Sequence, residues 1–458
     1  MSDVIRLKKG FDINLVGKAE KRLIDNIHPD TVALVPDDFV GMGRPKVLVQ
    51  EGDLVKAGTP IFFDKSMEEV MFTSPVSGEV VEIKRGEKRK LLEVKILVDK
   101  QIDYLEFERY TVSQLASLTK EDIMPELLRS GVWTNVIQRP YGIIANPQDT
   151  PKAIFISTFD SSPLAPDYDF IFKGQEQFFQ AGIDILKKIV PQNCNIYLGI
   201  NAKAEVSKIF GSTKNVILKK FEGKHPAGNV GVQIHHVSPI NKGEIVWTLN
   251  PYGVIQIGKL FLNGEYDASK IIALVGSEVS SPQYYKTFIG ANIEKYVRGN
   301  IKNEHVRYIS GNVLTGHKIE KNGYLGFYHH QITVIPEGDR PRFLLADGWL
   351  APTDRLSFHR ALGLLSFLNP KKERVLDTST NGEERAFVVT GAYEKVLPMD
   401  ILPMHLIKAI LANDYDEMEA LGIYEVIEED FALCEFIDVA KQDLQALLRK
   451  GINMIRES

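Results

Sequence analysis

Histidines and cysteines are the side chains in this sequence best suited to bind metal or act as nucleophiles, and their spacing argues against both roles. Cys194 and Cys434 are the two cysteines of the 458 residues. An all-cysteine iron–sulfur cluster needs four thiolates, so this chain alone does not supply one, and a disulfide framework is not expected. Histidines pair at His235-His236 and at His329-His330. Read as strand neighbours, each pair points to opposite faces and offers no two-ligand metal site. HPAG (225–228) places His225 where, with His235, it is a candidate for a polar pocket. Neither H-E-x-x-H nor G-x-S-x-G occurs, so no catalytic residue and no metal ligand is assigned. SGNVLTGHKI (310–319) approaches a phosphate-binding loop, but His317 stands where the lysine belongs and Ile319 follows Lys318 in place of a hydroxyl. It reads as a turn. No G-x-G-x-x-G follows any strand, so a dinucleotide fingerprint is absent.

A second chemical pattern lies in EGDLVKAGTPIFFDKSMEEVMFTSPVSGEVVEI (51–83). It resembles the lipoyl- and biotinyl-carrier domains, in which a hairpin turn presents a modified lysine. Aligned without gaps on Gly52-Asp53 and on Pro75-x-x-Gly78, the lysine position falls on Glu68. Lys65 stands three residues early, which would take it off the turn. The shape of a carrier is therefore expected without its swinging arm. KRGEKRK (84–90) reads as a solvated hairpin tip, or as a docking patch for an acidic partner or anionic headgroups.

These motifs need elements to hold them. The formal net charge of -5 and pI near 6.1 argue against a general nucleic-acid partner. No secretory leader is read at the start, and no run approaches the ~20 apolar residues that span a bilayer. Short β-rich runs separated by Gly, Pro and Asp fill residues 27–98. TVSQLASLTKEDIMPELLRSG (111–131) has helical spacing, with Thr119 and Asp122 as caps. From 153 onward strands alternate with helices: AIFISTFD, then GQEQFFQAGIDILKKIV, NIYLGIN, AEVSKIF (204–210) and NVILKKF. Such alternation predicts a parallel α/β layer. VGVQIHHVSP, EIVWTLN and VIQIGKLFLNG read as further strands. Residues 270–316 predict strand, strand, a short helix at ANIEKYVRG and a strand. Residues 322–380 are mixed. Residues 398–456 read as helical, with Ile437, Ala440, Leu444, Leu447 and Leu448 on one face. The fold class is α+β and multidomain. A barrel-sandwich domain at 27–98 precedes a Rossmann-like α/β domain at 99–260. A β-grasp domain of the SLBB-like type at 261–335 and a helical domain at 376–458 follow.

LGIYEVIEEDFALCEF (421–436) resembles the iron–sulfur segment of electron-transfer subunits, L-G-x-x-x followed by C-x-x-C-x-x-C. Val426, Glu429 and Ala432 occupy its cysteine positions, and Cys434 is out of register. Together with IRLKKGFDINLVG (5–17), GMGRPKVLVQEGD (41–53), SPVSGEVVEIKRGEKRK (74–90), SGVWTNVIQRP (130–140), FDSSPLAPD (159–167), HPAGNVGVQIHHVSP (225–239) and EEDFALC, this gives a resemblance along nearly the whole chain. It is to the A-subunit family of the sodium-translocating NADH:quinone reductases. The resemblance implies a cofactor-free component of an oxidoreductase that is not catalytic when isolated. Other subunits would hold it peripherally on the cytoplasmic side of a bacterial inner membrane. The complex would oxidise NADH, reduce ubiquinone and export sodium, with flavins and an iron–sulfur centre on partner subunits.

Relatives of that family include the flavin-binding subunit of respiratory complex I and its ferredoxin-oxidising ion-pump counterpart, which carry a glycine-rich flavin loop after Ser-Gly. Here Ser130-Gly131 is followed by VWTNVIQRP, and Trp133, Gln138 and Arg139 stand where flexible glycines would let a phosphate approach. Many family members carry C-P-G-K near the C-terminus, where this chain has Asp438-Val439-Ala440-Lys441. The resemblance also implies ubiquinone as a ligand near Phe39, Gly41 and Met42, and near Trp133 to Arg139. The alternatives are that these residues are core or inter-subunit contacts, or that the chain is a lipoyl or biotinyl carrier.

Overall fold

The computed structural model describes residues 4–203, 208–339, 345, 356–359, 368–369 and 371–458. Alternating apolar residues in the 27–98 region build two small antiparallel sheets. One runs Thr31–Leu34, Leu91–Val98, Gly78–Arg85, Leu54–Val55; the other runs Pro45–Val47, Pro60–Asp64, Met67–Thr73. Their inward residues, among them Val32, Ile61, Phe62, Val70, Phe72, Val80, Val94 and Ile96, form one continuous core. Gly78, at φ +152, lies against Leu97 O, and a side chain there would overlap that carbonyl.

The hairpin of this unit corrects the expectation for its turn. Lys65 and Ser66 form the turn, exposed, while Glu68 lies inside strand Met67–Thr73. The register jumps between Phe63↔Met71 and Asp64↔Met67, so extra residues bulge from the second strand. A count without gaps cannot see that bulge.

Beyond it, helix Lys120–Ser130 begins at the Thr119/Asp122 capping box that its sequence predicts. A seven-stranded sheet follows in the order Val4–Arg6, Ile217–Glu222, Asn195–Asn201, Ala153–Ser157, Val246–Leu249, Ile137–Arg139, Ile143–Ile144. The first five are mutually parallel, and the last two join antiparallel. The chain grows from Ala153–Ser157 to one side, then returns to the other side with Val246–Leu249. That reversal is a topological switch point.

Two segments expected as strands are helices. VGVQIHHV forms helix Val230–Val237, and Gln233 Nε2 donates to Ser157 Oγ at 2.8 Å. Burial of Val232 and Ile234 overrides the β-branched composition. Residues 251–263 form helix Pro251–Asn263, with Asn250 accepting from Gly253 N and Gly264 at φ +72 closing the end. Its apolar residues are buried on nearly all sides, which erased the periodicity, although Asn-Pro and Gly marked the two ends. Of the helix expected at 204–210, residues Lys208–Gly211 are helical and 204–207 lie outside the described residues.

The next sheet contains the expected strands Ser269–Val275, Gln283–Phe288 and Val306–Ser310, with short helix Glu294–Val297. Gln331–Pro336 and His317–Ile319 complete it, and SGNVLTG is the turn before His317. Glu20–Ile24 pairs with Gln283–Tyr285 at its edge. The N-terminal residues therefore contribute a strand to each of two later sheets. The C-terminal region is helical, at Pro403–Ala412, Tyr415–Ala420, Glu428–Ile437 and Leu444–Glu457. The single face expected from Ile437 to Leu448 is interrupted. Asp438 accepts from Ala440 N and Gln442 N, and Lys441 has φ +56, so the chain turns before Asp443 caps the last helix.

Helices Glu176–Ile189 and Pro251–Asn263 meet at glycines. A Cβ on Gly258 would overlap Phe178 O, and one on Gly182 would overlap Val254 O. Helix propensity alone favours Gly→Ala by about 1 kcal/mol. Overpacking costs up to about 3 kcal/mol and dominates here. Gly258→Ala is expected to lower unfolding stability by roughly 2 kcal/mol net, read from the urea midpoint.

Candidate functional site

A cavity of about 380 Å³ opens at the switch point of the parallel sheet. Ser157, Phe159, Asp160 and Ser162 line it from the end of one central strand, and Thr248, Leu249 and Asn250 from the end of the other. Asp38 and Val40 come from the barrel-sandwich unit, Leu314 and Tyr328 from the next sheet, and Ile427 and Glu429 from the C-terminal helices. Four units of the fold thus enclose one space. Carboxyl-end crevices of this kind are the usual ligand sites of open α/β sheets.

Arg139 forms part of one wall and is almost fully buried. Its Nη2 donates to Glu429 Oε1 at 2.6 Å and its Nη1 to Asp430 Oδ2 at 3.2 Å. Asp430 also accepts from Ile427 N, and it sits against Gly231 at the start of helix Val230–Val237. Burial raises both carboxyls above their ordinary range, and the guanidinium opposes that rise. Glu429 keeps 37% of its side-chain surface, consistent with its place on the cavity wall. Neighbouring Glu428 pairs with Arg449, which also donates to Tyr141 O. The three acidic residues of EEDFALC therefore dock the C-terminal helices onto the sheet. Val426 and Ala432, at the other cysteine positions of the resemblance, are packed in the core.

His225 lines the cavity, with Nδ1 3.0 Å from Ser161 Oγ and Nε2 buried without a partner. Burial lowers its pKa to about 4. His235 is not beside it in the wall. His235 Nε2 accepts from Asp400 N at 2.9 Å, which leaves Nδ1 to donate to Glu425 at 2.6 Å. His236 Nε2 bonds Pro398 O. Both lie on a helix, not a strand, and serve the same docking interface.

A second cavity, of about 270 Å³, shares Val40 and Ile144 with the first. Gly41 and Met42 line it with Val70, Phe72, Ile143 and Arg456. Gly41 has φ +81, and a Cβ there would meet Ile143 at 2.5 Å and Arg456 Nη1 at 2.8 Å. Phe39 lines neither space; it packs edge-on against Phe72 and Tyr328, one from each wall. Trp133 is also outside both. It is fully buried, donates to Ala145 O at 2.7 Å and lies edge-on to Trp247. Among the described residues, no group of three or more His, Cys, Asp or Glu has the arrangement to hold a metal ion.

Asp38 connects the first cavity to a buried junction. It accepts from Phe327 N, and Lys270 nearby donates to Phe327 O and His329 O below the ring of Tyr252. Burial raises Asp38 to about 6 and lowers Lys270 to about 7. The sequence reading missed Asp38, Asp160, Tyr168, Glu429 and Arg456 as wall residues. For the four charged residues the only advance signal was charge beside apolar runs, and Tyr168 gave none.

These features define a multidomain α/β protein with a composite cavity, not a free-standing carrier domain. Residues 5–99 match the NqrA N-terminal barrel-sandwich hybrid domain, 118–266 the NqrA second alpha/beta domain, and 271–321 the NQRA C-terminal domain. The chain is similar to the A-subunit of the Na(+)-translocating NADH-quinone reductase of Alcanivorax borkumensis, 37% identical over 454 residues and covering 99% of both chains. It is 38% identical over 458 residues to that of Serratia proteamaculans, covering 99% of this chain and all of the other. The chain belongs to this family, the NqrA or A-subunits of the Na(+)-translocating NADH-quinone reductases. An NAD+-reducing nickel–iron hydrogenase in its H2-reduced state covers 78% of this chain and 66% of its own at 10% identity, but its TM-score of 0.36 is too low to carry an argument. Among the described residues no helix is long and apolar enough to cross a membrane.

Two outcomes test the site's electrostatics. Arg139→Met leaves the buried Asp430 and the partly exposed Glu429 without their cation and is expected to cost about 3 kcal/mol in urea unfolding. Adding Glu429→Gln and Asp430→Asn should recover most of it. Asp38 has a raised folded pKa, so its contribution is full below the ordinary carboxylate range and is lost as pH rises through about 6. Asp38→Asn should remove that slope, at most about 1.4 kcal/mol per pH unit between about pH 4 and 6, from the pH dependence of unfolding.

Proposed function

We propose that this chain is a cofactor-free, non-catalytic scaffold within a membrane complex that couples NADH oxidation and ubiquinone reduction to sodium export. It is held peripherally on the cytoplasmic face by membrane subunits, and the flavins and iron–sulfur centre reside on partners. Family membership supports the assembly, and the packing of the EEDFALC segment supports the scaffold role. The sub-fold assignments belong to the same reading: a barrel sandwich at 27–98, Rossmann-like at 99–260, SLBB-like β-grasp at 261–335 and a ligand-free cluster-type domain at 376–458. Flavin and iron assays of the purified chain should find neither near stoichiometry; finding either would end this reading.

The same proposal gives ubiquinone the second cavity. The observation that carries it is an apolar slot of Val40, Met42, Met67, Val70 and Phe72 with Arg456 at its wall. Such a slot accepts a flat apolar ring while a guanidinium donates to a ring carbonyl. Phe39 backs the slot through Phe72. Arg456→Met should weaken short-chain ubiquinone binding about tenfold in calorimetric titration, since hydrogen bonds to charged groups contribute roughly 1.5–3 kcal/mol. Unchanged binding would remove quinone from this cavity.

Lys65 on its turn supports one competing reading, the acyl or carboxyl carrier. Against it, Asp64 accepts from Gly43 N, Arg44 N and Ser66 N and ties that turn to the neighbouring loop. Intact mass should show no adduct on Lys65.

A further inference from the structure

KRGEKRK is the basic run that the sequence displays, and its charges are mostly spent. Lys84 pairs with Glu93, Lys90 with Asp37, and Arg85 donates to Arg89 O. Lys88 and Arg89 remain, beside Glu87 on the same tip. A second concentration of positive charge is scattered in sequence and gathered by the fold. Segments 4–12, 217–224 and 392–397 carry seven lysines and arginines against three carboxylates, in a chain whose formal net charge is -5.

Backbone bonds bring these three segments to one corner. Val4–Arg6 is the edge strand of the seven-stranded sheet and pairs with Ile217–Glu222. At the carboxyl ends of this pair Leu7 N donates to Glu222 O at 2.8 Å, Phe11 N to His225 O at 2.9 Å and Gly10 N to Lys395 O at 3.4 Å. Gly10 lies at the centre with φ +129, and a Cβ there would meet Lys224 Cβ at 3.2 Å. Lys8, Lys9, Lys224 and Lys395 therefore share one rim. All four are exposed, and among the described residues none has an ion-pair partner. The three carboxylates of these segments serve elsewhere. Glu222 takes Arg6 and Lys203, Asp12 Oδ1 accepts from His225 N, and Glu394 has Oε2 buried.

The chemistry of the rim selects its partner. Uncompensated like charges gathered in one place repel one another, and an anionic surface relieves that repulsion. Protein interfaces favour Arg and aromatic residues around an apolar centre and are depleted in Lys. Here all four unpaired cations are lysines. Apart from Ile217, at the far end of its strand, these segments expose no large apolar side chain. A hydrated point charge on a flexible stem suits a diffuse layer of phosphate headgroups instead.

We infer that this rim, and not the KRGEKRK hairpin, is a docking surface for anionic phospholipid headgroups. The contact is additional to the membrane subunits proposed to hold the chain, so its failure leaves the scaffold role standing.

Co-sedimentation of the full-length chain with phosphatidylcholine vesicles, with and without phosphatidylglycerol, tests it. Binding should need phosphatidylglycerol and fade as added salt shortens the screening length from about 10 to about 3 Å. Lys8→Gln, Lys9→Gln, Lys224→Gln and Lys395→Gln combined, first checked to melt like the parent, should lower the partition coefficient at least about a hundredfold, at about fivefold per lysine. Lys88→Gln with Arg89→Gln should leave it unchanged. No binding to the anionic vesicles would leave an acidic protein as the partner and overturn the inference. So would equal binding to both kinds of vesicle, indifference to the four substitutions, or an equal loss in the hairpin variant.

Discussion

A guanidinium buried in a sheet needs its charge answered, and Arg139 is answered from the far end of the chain. Its strand belongs to the seven-stranded sheet, while Glu429 and Asp430 begin a C-terminal helix. A buried pair of this kind contributes little net stability compared with apolar packing. What it contributes here is placement. One position of the C-terminal helices brings both carboxylates to the guanidinium, keeps Asp430 at the start of helix Val230–Val237 and puts Glu429 on the cavity wall. A shift of that helix by one turn would strand three charges at once.

Other polar contacts repeat the arrangement around the same interface. His235 reaches Glu425 and Asp400, His236 reaches Pro398 O, and Lys242 pairs with Glu419. The exposed lysine pair adds little by itself. The part-buried histidine contacts fix orientation, with both ring nitrogens of His235 in use. The cavity that results belongs to no single unit. Asp38, Asp160, Leu314 and Glu429 become neighbours only when four regions are docked. The cavity therefore exists only while all four are docked.

Local signals were legible in the sequence, and composite ones were not. The strands of the barrel sandwich followed from short β-rich runs closed by Gly, Pro and Asp turns. Thr119 and Asp122 announced their helix because a capping box is a four-residue pattern. Helix Pro251–Asn263 was misread because burial on nearly every side leaves no stripe to detect. Helix Val230–Val237 was misread because its β-branched residues take their conformation from the sheet beneath. The hairpin turn at Lys65 was misplaced by a bulge, which is a property of pairing and has no residue of its own. Gly41 and Met42 line the second cavity, but Arg456 beside them is separated from them by most of the chain. Trp133 and Arg139 looked suited to hold a ring, yet their polar groups are spent on Ala145 O and on two carboxylates.

The order in which the ribosome releases this chain gives the N-terminal segment a particular history. Val4–Arg6 waits for Lys220–Glu222, and Glu20–Ile24 waits for Gln283–Tyr285. Both early strands therefore emerge long before their partners exist, with hydrogen-bonding edges uncovered. Contacts so distant in sequence are slow to close. Once closed, they clasp two sheets with one short stretch of chain, so these early residues are among the last to be secured.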